Sequence, residues 1–108
     1  MPSAPIHVRK AVGLRFKALV HAIAERDETS SRQILADVDI PQSRAANWYA
    51  GKNLADPWDL TRFVERHGGT LEWLYRGNLP TIPDAALRKL VSAHHRTLMA
   101  DGGNLHVA

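Results

Sequence analysis

The chain has 108 residues, 44% of them hydrophobic and 23% charged, and it contains no cysteine. A chain of this length buries one modest core rather than two full domains, and without thiols it has no disulfide framework, no thiolate zinc site and no cysteine nucleophile. No apolar run reaches the roughly 18 residues of a membrane span, and residues 1–7 lack the apolar stretch of a signal peptide. We therefore expect a soluble, cytoplasmic domain.

The formal net charge is +3, and the excess of cations lies in the N-terminal half. Residues 1–24 carry four cations and no acid, and residues 40–55 carry two cations and no acid. Acids outnumber cations over residues 25–39, and the charges balance over residues 56–108. A basic footprint of this kind suits a phosphate backbone, although ordinary scatter of charge remains the alternative.

The spacing of apolar residues and of helix caps predicts six helices and no strand. The first helix follows from apolar residues at helical intervals between Val12 and Ile23, and the second opens on a capping box of Ser30 and Gln33. Prolines and glycines mark the other starts and stops. The predicted segments cover residues 12–26, 30–38, 41–51, 56–67, 70–77, and a last one from the cap around Pro83 to the glycines at 102 and 103. The predicted fold class is all-α.

The junction between the second and third helices has the spacing of a DNA-binding helix-turn-helix. Packing of these two helices across each other is expected to bury Leu35, Val38, Ile40, Ala45 and Trp48. The start of the third helix then points outward with Gln42, Ser43, Ala46 and Asn47. Gln and Asn form bidentate hydrogen bonds to adenine, and a serine hydroxyl bonds to either base type. No acid lies between Ile40 and Ala55 to repel phosphate.

The stretch from Ser30 to Gly77 resembles the lambda-repressor-like family of helix-turn-helix proteins, also called the XRE or Cro type. The resemblance is carried by Asp39-Ile40-Pro41-Gln42-Ser43, by Asn47-Trp48-Tyr49-Ala50-Gly51-Lys52, by Pro57 and Leu60, and by Gly69-Thr70-Leu71-Glu72-Trp73-Leu74. The chain departs from the family pattern where Leu35 replaces a small residue, Asp39 replaces the turn glycine and Pro41 replaces a Ser or Thr cap. Because Asp tolerates the left-handed conformation better than most residues, we expect the turn to form.

This resemblance implies a role for each matching position. The residues expected to contact bases are Gln42, Ser43 and Asn47. Those expected to contact the DNA backbone or flank it are Ser31, Arg32, Arg44, Lys52 and Asn53. The implied organisation is a flexible N-terminal arm over residues 1–11, a five-helix DNA-binding domain over 12–77, and a sixth, C-terminal helix with a tail over 78–108.

The other polar candidates favour structural roles. His94 and His95 are adjacent, so that on a helix their side chains diverge by about 100° and do not chelate together. The glycine pairs lack phosphate-loop spacing, and no motif combines a nucleophile, a base and an orienting group. We therefore predict no catalytic residue, no metal and no cofactor. Trp58 and Trp73 are predicted to be core residues, with an exposed edge on either as the alternative.

The last predicted helix carries an apolar seam beyond what a five-helix unit needs. Its members are Leu87, Leu90, Val91, His94 and Leu98. We expect this seam to form a homodimer, because one small helix-turn-helix unit rarely supplies enough sequence specificity. Packing of the helix on its own domain is the alternative.

These features together favour a non-enzymatic transcription regulator that binds a palindromic site in double-stranded DNA as a homodimer, in the cytoplasm and at the nucleoid. The alternative, from another class, is a protein-interaction module, antitoxin-like or an adaptor subunit, that holds a partner protein with its C-terminal helix. The two hypotheses differ in whether Gln42 and Asn47 matter for function, or only the face that contains Leu90.

Overall fold

A computed structural model describes the backbone of residues 4–104 and the side chains of residues 4–101. The first three residues of the predicted arm and residues 105–108 of the predicted tail lie outside this range. The described chain has no strand, and its elements are α1 Ile6–Arg26, α2 Ser31–Ala36, α3 Gln42–Tyr49, α4 Pro57–His67, α5 Leu71–Arg76, a 3-10 turn Leu79–Thr81 and α6 Ala85–Asn104. The all-α fold class is confirmed. None of these helices is long and apolar enough to cross a membrane.

Side-chain caps begin four of the helices at the predicted residues, and that of α6 is Asp84, which accepts from the backbone N–H groups of Ala86 and Leu87. Ser30, Asp56 and Thr70 each accept a hydrogen bond from the backbone N–H three residues further on, at 2.9 to 3.1 Å. Each cap satisfies at least one of the donors that the first turn of a helix leaves without a partner. Only half of the predicted capping box forms, because the Gln33 amide donates to the Asp37 carboxylate at 2.9 Å instead.

The first helix begins earlier than predicted, and the flexible arm over residues 1–11 is wrong from Ile6 onward. Pro5 precedes the helix, and its carbonyl oxygen accepts the first helical hydrogen bonds. The Arg9 guanidinium then donates to the carbonyl oxygen of Gly51 at 2.8 Å. This bond ties the start of α1 to the segment that follows α3. At the other end of the chain, α6 includes the glycine pair that was expected to end it.

The centre of the core is α1. Phe16 of α1 is fully buried and packs edge-on against the rings of Trp48 in α3 and Phe63 in α4, with ring centroids 5.7 and 4.9 Å apart. Gly13, nearly one turn earlier, lies against the Trp48 carbonyl, and a Cβ atom at this glycine would overlap the oxygen. These contacts fix the position of α3 against α1.

The last helix, α6, runs antiparallel along α1. The His94 ring lies 5.8 Å from that of His21 in the second half of α1, whereas Met99 lies beside the first turns of α1. Leu87 and Val91 of α6 are buried in the same core cluster as α1. The predicted boundary after residue 77 therefore does not divide the core.

The two tryptophans predicted to be core residues differ in burial. Trp73 is 4% exposed, whereas Trp58 is 67% exposed, so the core prediction for Trp58 is wrong. The buried face of α4 contains Leu60 and Phe63. Trp58 lies two residues before Leu60, and at about 100° per residue it falls on the opposite side of the helix.

Candidate nucleic-acid interface

The turn between α2 and α3 depends on a left-handed residue at Asp39. Its φ angle is 56°, in the region that glycine favours and that Asp enters more readily than most residues. The N–H of Ile40 closes the turn on the carbonyl oxygen of Leu35 at 3.1 Å. Pro41 precedes α3 without a side-chain cap. The turn therefore forms despite the three departures from the family pattern.

The inner surfaces of α2 and α3 are fully used in packing. The residues expected to lie between the helices are each 1 to 5% exposed: Leu35, Val38, Ile40, Ala45 and Trp48. Burial of large apolar side chains contributes on the order of 1.5–3 kcal/mol each. The core therefore holds α3 on one side only, and the opposite side is left to solvent.

That opposite side of α3 carries the predicted base-contacting residues. Gln42, Ser43 and Ala46 are exposed and Asn47 is half-buried. Their spacing of one, three and one residues places the four side chains on neighbouring positions of one helix face. The face presents two amides, a hydroxyl and a small methyl group, which are the groups that read base edges in the major groove.

The predicted backbone-contacting residues surround this face. Arg32 of α2 and Gln42 of α3 line one groove of about 480 Å³ beside the turn. Lys52 and Asn53 are exposed just after α3, and the Lys52 N–H donates to the Asn47 carbonyl oxygen at 2.9 Å. Ser31 is half-buried at the start of α2. The structure thus brings the cations to both ends of the polar face.

Arg44 is the exception among these residues, because it has a partner within the chain. Its Nη1 donates to Oδ2 of Asp59 at 2.8 Å, and Arg62 donates to Oδ1 of the same carboxylate at 2.6 Å. Arg62 also donates to the Val38 carbonyl oxygen in the turn, at 2.6 Å. The Asp59 side chain is 8% exposed and that of Arg44 is 48% exposed. One buried carboxylate therefore links α4 to both α3 and the turn.

Sequence reasoning missed this carboxylate because it lies outside the acid-free window from residue 40 to 55. The signal that was present is the spacing of Asp59 and Arg62, three residues apart on one helix, where opposite charges meet. Nothing in the sequence assigns Arg44 to the other oxygen atom of the same carboxylate.

The predicted dimer seam on α6 is not a free surface, and this prediction is corrected. All of its members are buried or half-buried within the single chain: Leu87, Leu90, Val91, His94 and Leu98. Leu87 and Val91 are 2% and 0% exposed, and Nε2 of His94 lies 3.6 Å from the Glu25 carboxylate of α1. The apolar stripe that would have suited a partner chain is covered by α1.

Four histidines belong to the packing of the helices, namely His21, His67, His94 and His95, whereas His7 is exposed. Nε2 of His67 lies 3.1 Å from the carbonyl oxygen of Ile34 in α2, and the His95 ring packs edge-on against Trp73 at 5.1 Å. Burial lowers the pKa of both imidazoles. His94 faces other neighbours than His95, as their adjacency predicts. Over residues 4–101, no group of three or more side chains is arranged to hold a metal ion.

No family model, curated protein or solved structure matches this chain. The resemblance to the lambda-repressor-like family therefore stays a prediction from the residues quoted for it.

Proposed function

We propose that the chain is a sequence-specific, double-stranded-DNA-binding transcription regulator that reads bases with the outer face of α3. The observation that carries this proposal is the contrast between the two sides of α3. Its inner residues are buried, whereas Gln42, Ser43 and Asn47 offer hydrogen-bonding groups on a surface that the core does not need. A single α-helix fits the major groove of B-DNA, where each base pair presents a distinct pattern of donors and acceptors.

The surrounding cations supply the sequence-independent part of the binding. Arg32 and Lys52 neutralise phosphates on the two sides of the reading face, with Ser31 and Asn53 as neutral hydrogen-bonding neighbours. Arg44 uses only Nη1 for Asp59, so that its other N–H groups are available to a phosphate. Regulation of transcription requires no catalytic group, and a cytoplasmic, nucleoid-associated location follows from the proposal.

We also propose that the chain binds a palindromic site as a homodimer, since one such module gives limited specificity. Two recognition helices related by a two-fold axis would contact half-sites about 34–36 Å apart. Because Leu87 and Val91 are buried within one chain, the contact between chains has to lie outside these core positions. The protein-interaction module has less support, because the stripe of α6 that was predicted to hold the partner, which includes Leu87 and Val91, is covered by α1.

The test begins with selection of bound duplexes from a random pool, followed by affinity measurements with two variants. Gln42→Ala is expected to cost about 1–3 kcal/mol on the selected site and much less on random duplex. Lys52→Ala is expected to weaken binding to both duplexes alike, because a phosphate contact carries no sequence information. Equal losses for both variants on both duplexes would show that the reading face is misassigned.

The salt dependence gives an independent check of the same proposal. A dimer that contacts six to ten phosphates should show a slope of roughly −5 to −9 in log affinity against log salt. Absence of binding at low salt, on selected and random duplexes, contradicts DNA binding altogether.

A further inference from the structure

A second groove, of about 290 Å³, lies between the first turns of α1 and the C-terminal part of α6. Its apolar lining comes from Ala11, Leu14 and Met99. Met99 is 54% exposed, and Ile6 and Val8 on the same turns of α1 are 62% and 37% exposed. Three of the five large apolar side chains that are exposed in the described chain therefore lie at this end of the helix pair, and of the three only Met99 lines the groove.

The charged residues that line the groove, Lys10 and Arg15, are both cations. Two histidines, His7 and His95, complete the polar lining, and among the residues that the structure describes no acid lines the groove. Lys10 is exposed at the rim, whereas Arg15 is partly buried and donates to the carbonyl oxygen of Leu74 at 3.2 Å. Fixed cations beside an apolar floor attract a ligand that is negatively charged and apolar on one side.

We propose that this groove binds an acidic amphipathic helix of a partner protein. A helix laid in a groove places apolar anchors at positions i, i+3, i+4 and i+7 along one face, and acids on its flanks would meet Lys10 and Arg15. The flexible thioether of Met99 adapts to anchors of different shape. This inference does not depend on whether α3 binds DNA.

Other occupants fit these observations less well. A nucleic-acid backbone would place phosphates against Leu14 and Met99 without using their apolar surface. A second copy of this chain brings a net charge of +3 to a basic groove.

The groove also borders the proposed DNA interface. A Cβ atom built on Gly51, just after α3, would lie 3.1 Å from Cβ of Lys10. Arg9, the neighbour of Lys10, donates to the Gly51 carbonyl oxygen at 2.8 Å. A partner helix seated against Lys10 would thus lie beside the segment that carries Lys52, which suits recruitment of a second protein to a bound site.

The test uses the full chain and three labelled synthetic helical peptides of 18 residues, with fluorescence anisotropy as the readout. The first has leucines at i, i+3, i+4 and i+7 and glutamates on its other face. The second has the same composition with the leucines spread around the helix, and the third has lysines in place of the glutamates. We expect the first to bind at least about tenfold more tightly than either control, since both apolar anchors and opposite charge are required.

Substitutions at three exposed positions then show where on the chain the peptide binds. Lys10→Glu should weaken binding of the acidic amphipathic peptide by about tenfold, because it places like charges together. Met99→Gln should weaken it by about threefold, because an apolar contact is lost. Lys89→Glu makes the same charge change on the far side of α6, where Lys89 is exposed, and should leave binding unchanged. Circular dichroism of each variant checks that it is folded.

Four outcomes overturn the proposal. Equal binding of the first two peptides would show that the groove attracts acidic peptides by charge alone, without apolar anchors. Displacement of the peptide by duplex DNA, with the same loss on Lys10→Glu, makes the groove part of a DNA surface. Peptide binding that breaks up self-association assigns the groove to a second copy. Insensitivity to both Lys10→Glu and Met99→Gln places the binding elsewhere.

Discussion

The sequence predicted an interface on both the third and the sixth helix, and the structure leaves the predicted surface of only one of them exposed. The outer face of α3, with Gln42 and Ser43, is exposed, whereas the apolar stripe of α6, with Leu87 and Val91, is buried against the rest of the chain. Both helices pack on α1. An apolar stripe therefore predicts that a surface will be covered, but not by which partner. The polar face of α3, in contrast, stays exposed and is free to meet the DNA proposed to bind it.

The largest expected effect tests whether α6 belongs to the core. Val91→Asp would bury an unpaired carboxylate at a position that is 0% exposed, which should lower the free energy of unfolding by about 3–5 kcal/mol. Lys89→Asp, two residues away at an exposed position, should change it by less than about 0.5 kcal/mol. Urea denaturation followed by circular dichroism measures both.

The same pair of variants separates the core from a dimer seam. A seam between chains would leave Val91→Asp folded and convert a dimer to a monomer in sedimentation. A Val91→Asp variant that is stable and monomeric, from a wild type that is dimeric, would therefore support a seam between chains and contradict the burial of Val91 within one chain.

Sequence reasoning succeeded where local chemistry decides the structure. The caps at Ser30, Asp56 and Thr70 form because each side chain needs only a backbone N–H three residues away. Asp39 takes the left-handed conformation because the turn demands it. The inner and outward faces of α3 follow from helical spacing alone, so that Gln42 was assigned to the exposed side correctly.

The failures concern choices that depend on distant parts of the chain. The apolar stripe of α6 was predicted to pack on a second chain, because no local feature of the sequence shows that α1 can cover it. The exposed position of Trp58 depends on which side of α4 meets α1, and the Asp59 carboxylate accepts from an arginine fifteen residues away. The early start of α1 at Ile6 is supported by the bond from Arg9 to Gly51, which joins residues far apart in sequence.

The next largest effect tests how α3 is held on its inner side. Alanine is a better helix former than glycine by about 1 kcal/mol, so propensity alone predicts that Gly13→Ala stabilises the chain. Its methyl group would instead overlap the Trp48 carbonyl oxygen, and we expect a net loss of about 1–3 kcal/mol. Because the overlap moves α3, affinity for the selected DNA site should fall as well.

A matched variant on α6 isolates the propensity term. Ala93 is exposed in that helix, so Ala93→Gly should cost about 1 kcal/mol and leave DNA affinity unchanged. Stabilisation by Gly13→Ala in the same denaturation series would show that α1 and α3 are not in close contact.

A smaller effect is expected from the carboxylate that links α3 to α4. Asp59→Asn keeps the size of the side chain but removes the charge that binds Arg44 and Arg62. Because both arginines are partly exposed, the expected cost in stability is only about 1–2 kcal/mol. The variant also raises the net charge by one, which favours DNA, yet loss of a fixed Arg44 should lower affinity for the selected site several-fold.

Asp39→Asn is the control, because it removes the same charge and because Asn, like Asp, tolerates the left-handed conformation that this position requires. Its expected effect on stability is below about 0.5 kcal/mol, with DNA affinity unchanged or slightly higher. If Asp59→Asn increases affinity as well, Asp59 acts only as a repulsive charge and does not position Arg44.

The smallest effect is a pH dependence that should distinguish α6 from α3. Burial lowers the pKa of His21 and of His95, with neighbouring positive charges adding to the effect, and both lie in the contact between α1 and α6. An unfolded chain takes up protons near the ordinary histidine pKa of about 6.5, whereas the folded chain does so only at lower pH. The two histidines therefore contribute nothing to the free energy of unfolding above about pH 7.5, and they destabilise the folded chain increasingly as the pH falls through 6.5.

Hydrogen exchange, corrected for intrinsic rates, measures this difference between the helices. We expect α6 to lose protection before α3 between pH 7.5 and 5.5, and His95→Gln to reduce the difference. Equal loss of protection in the two helices would mean that α6 is no more sensitive to acid than the helix proposed to contact DNA.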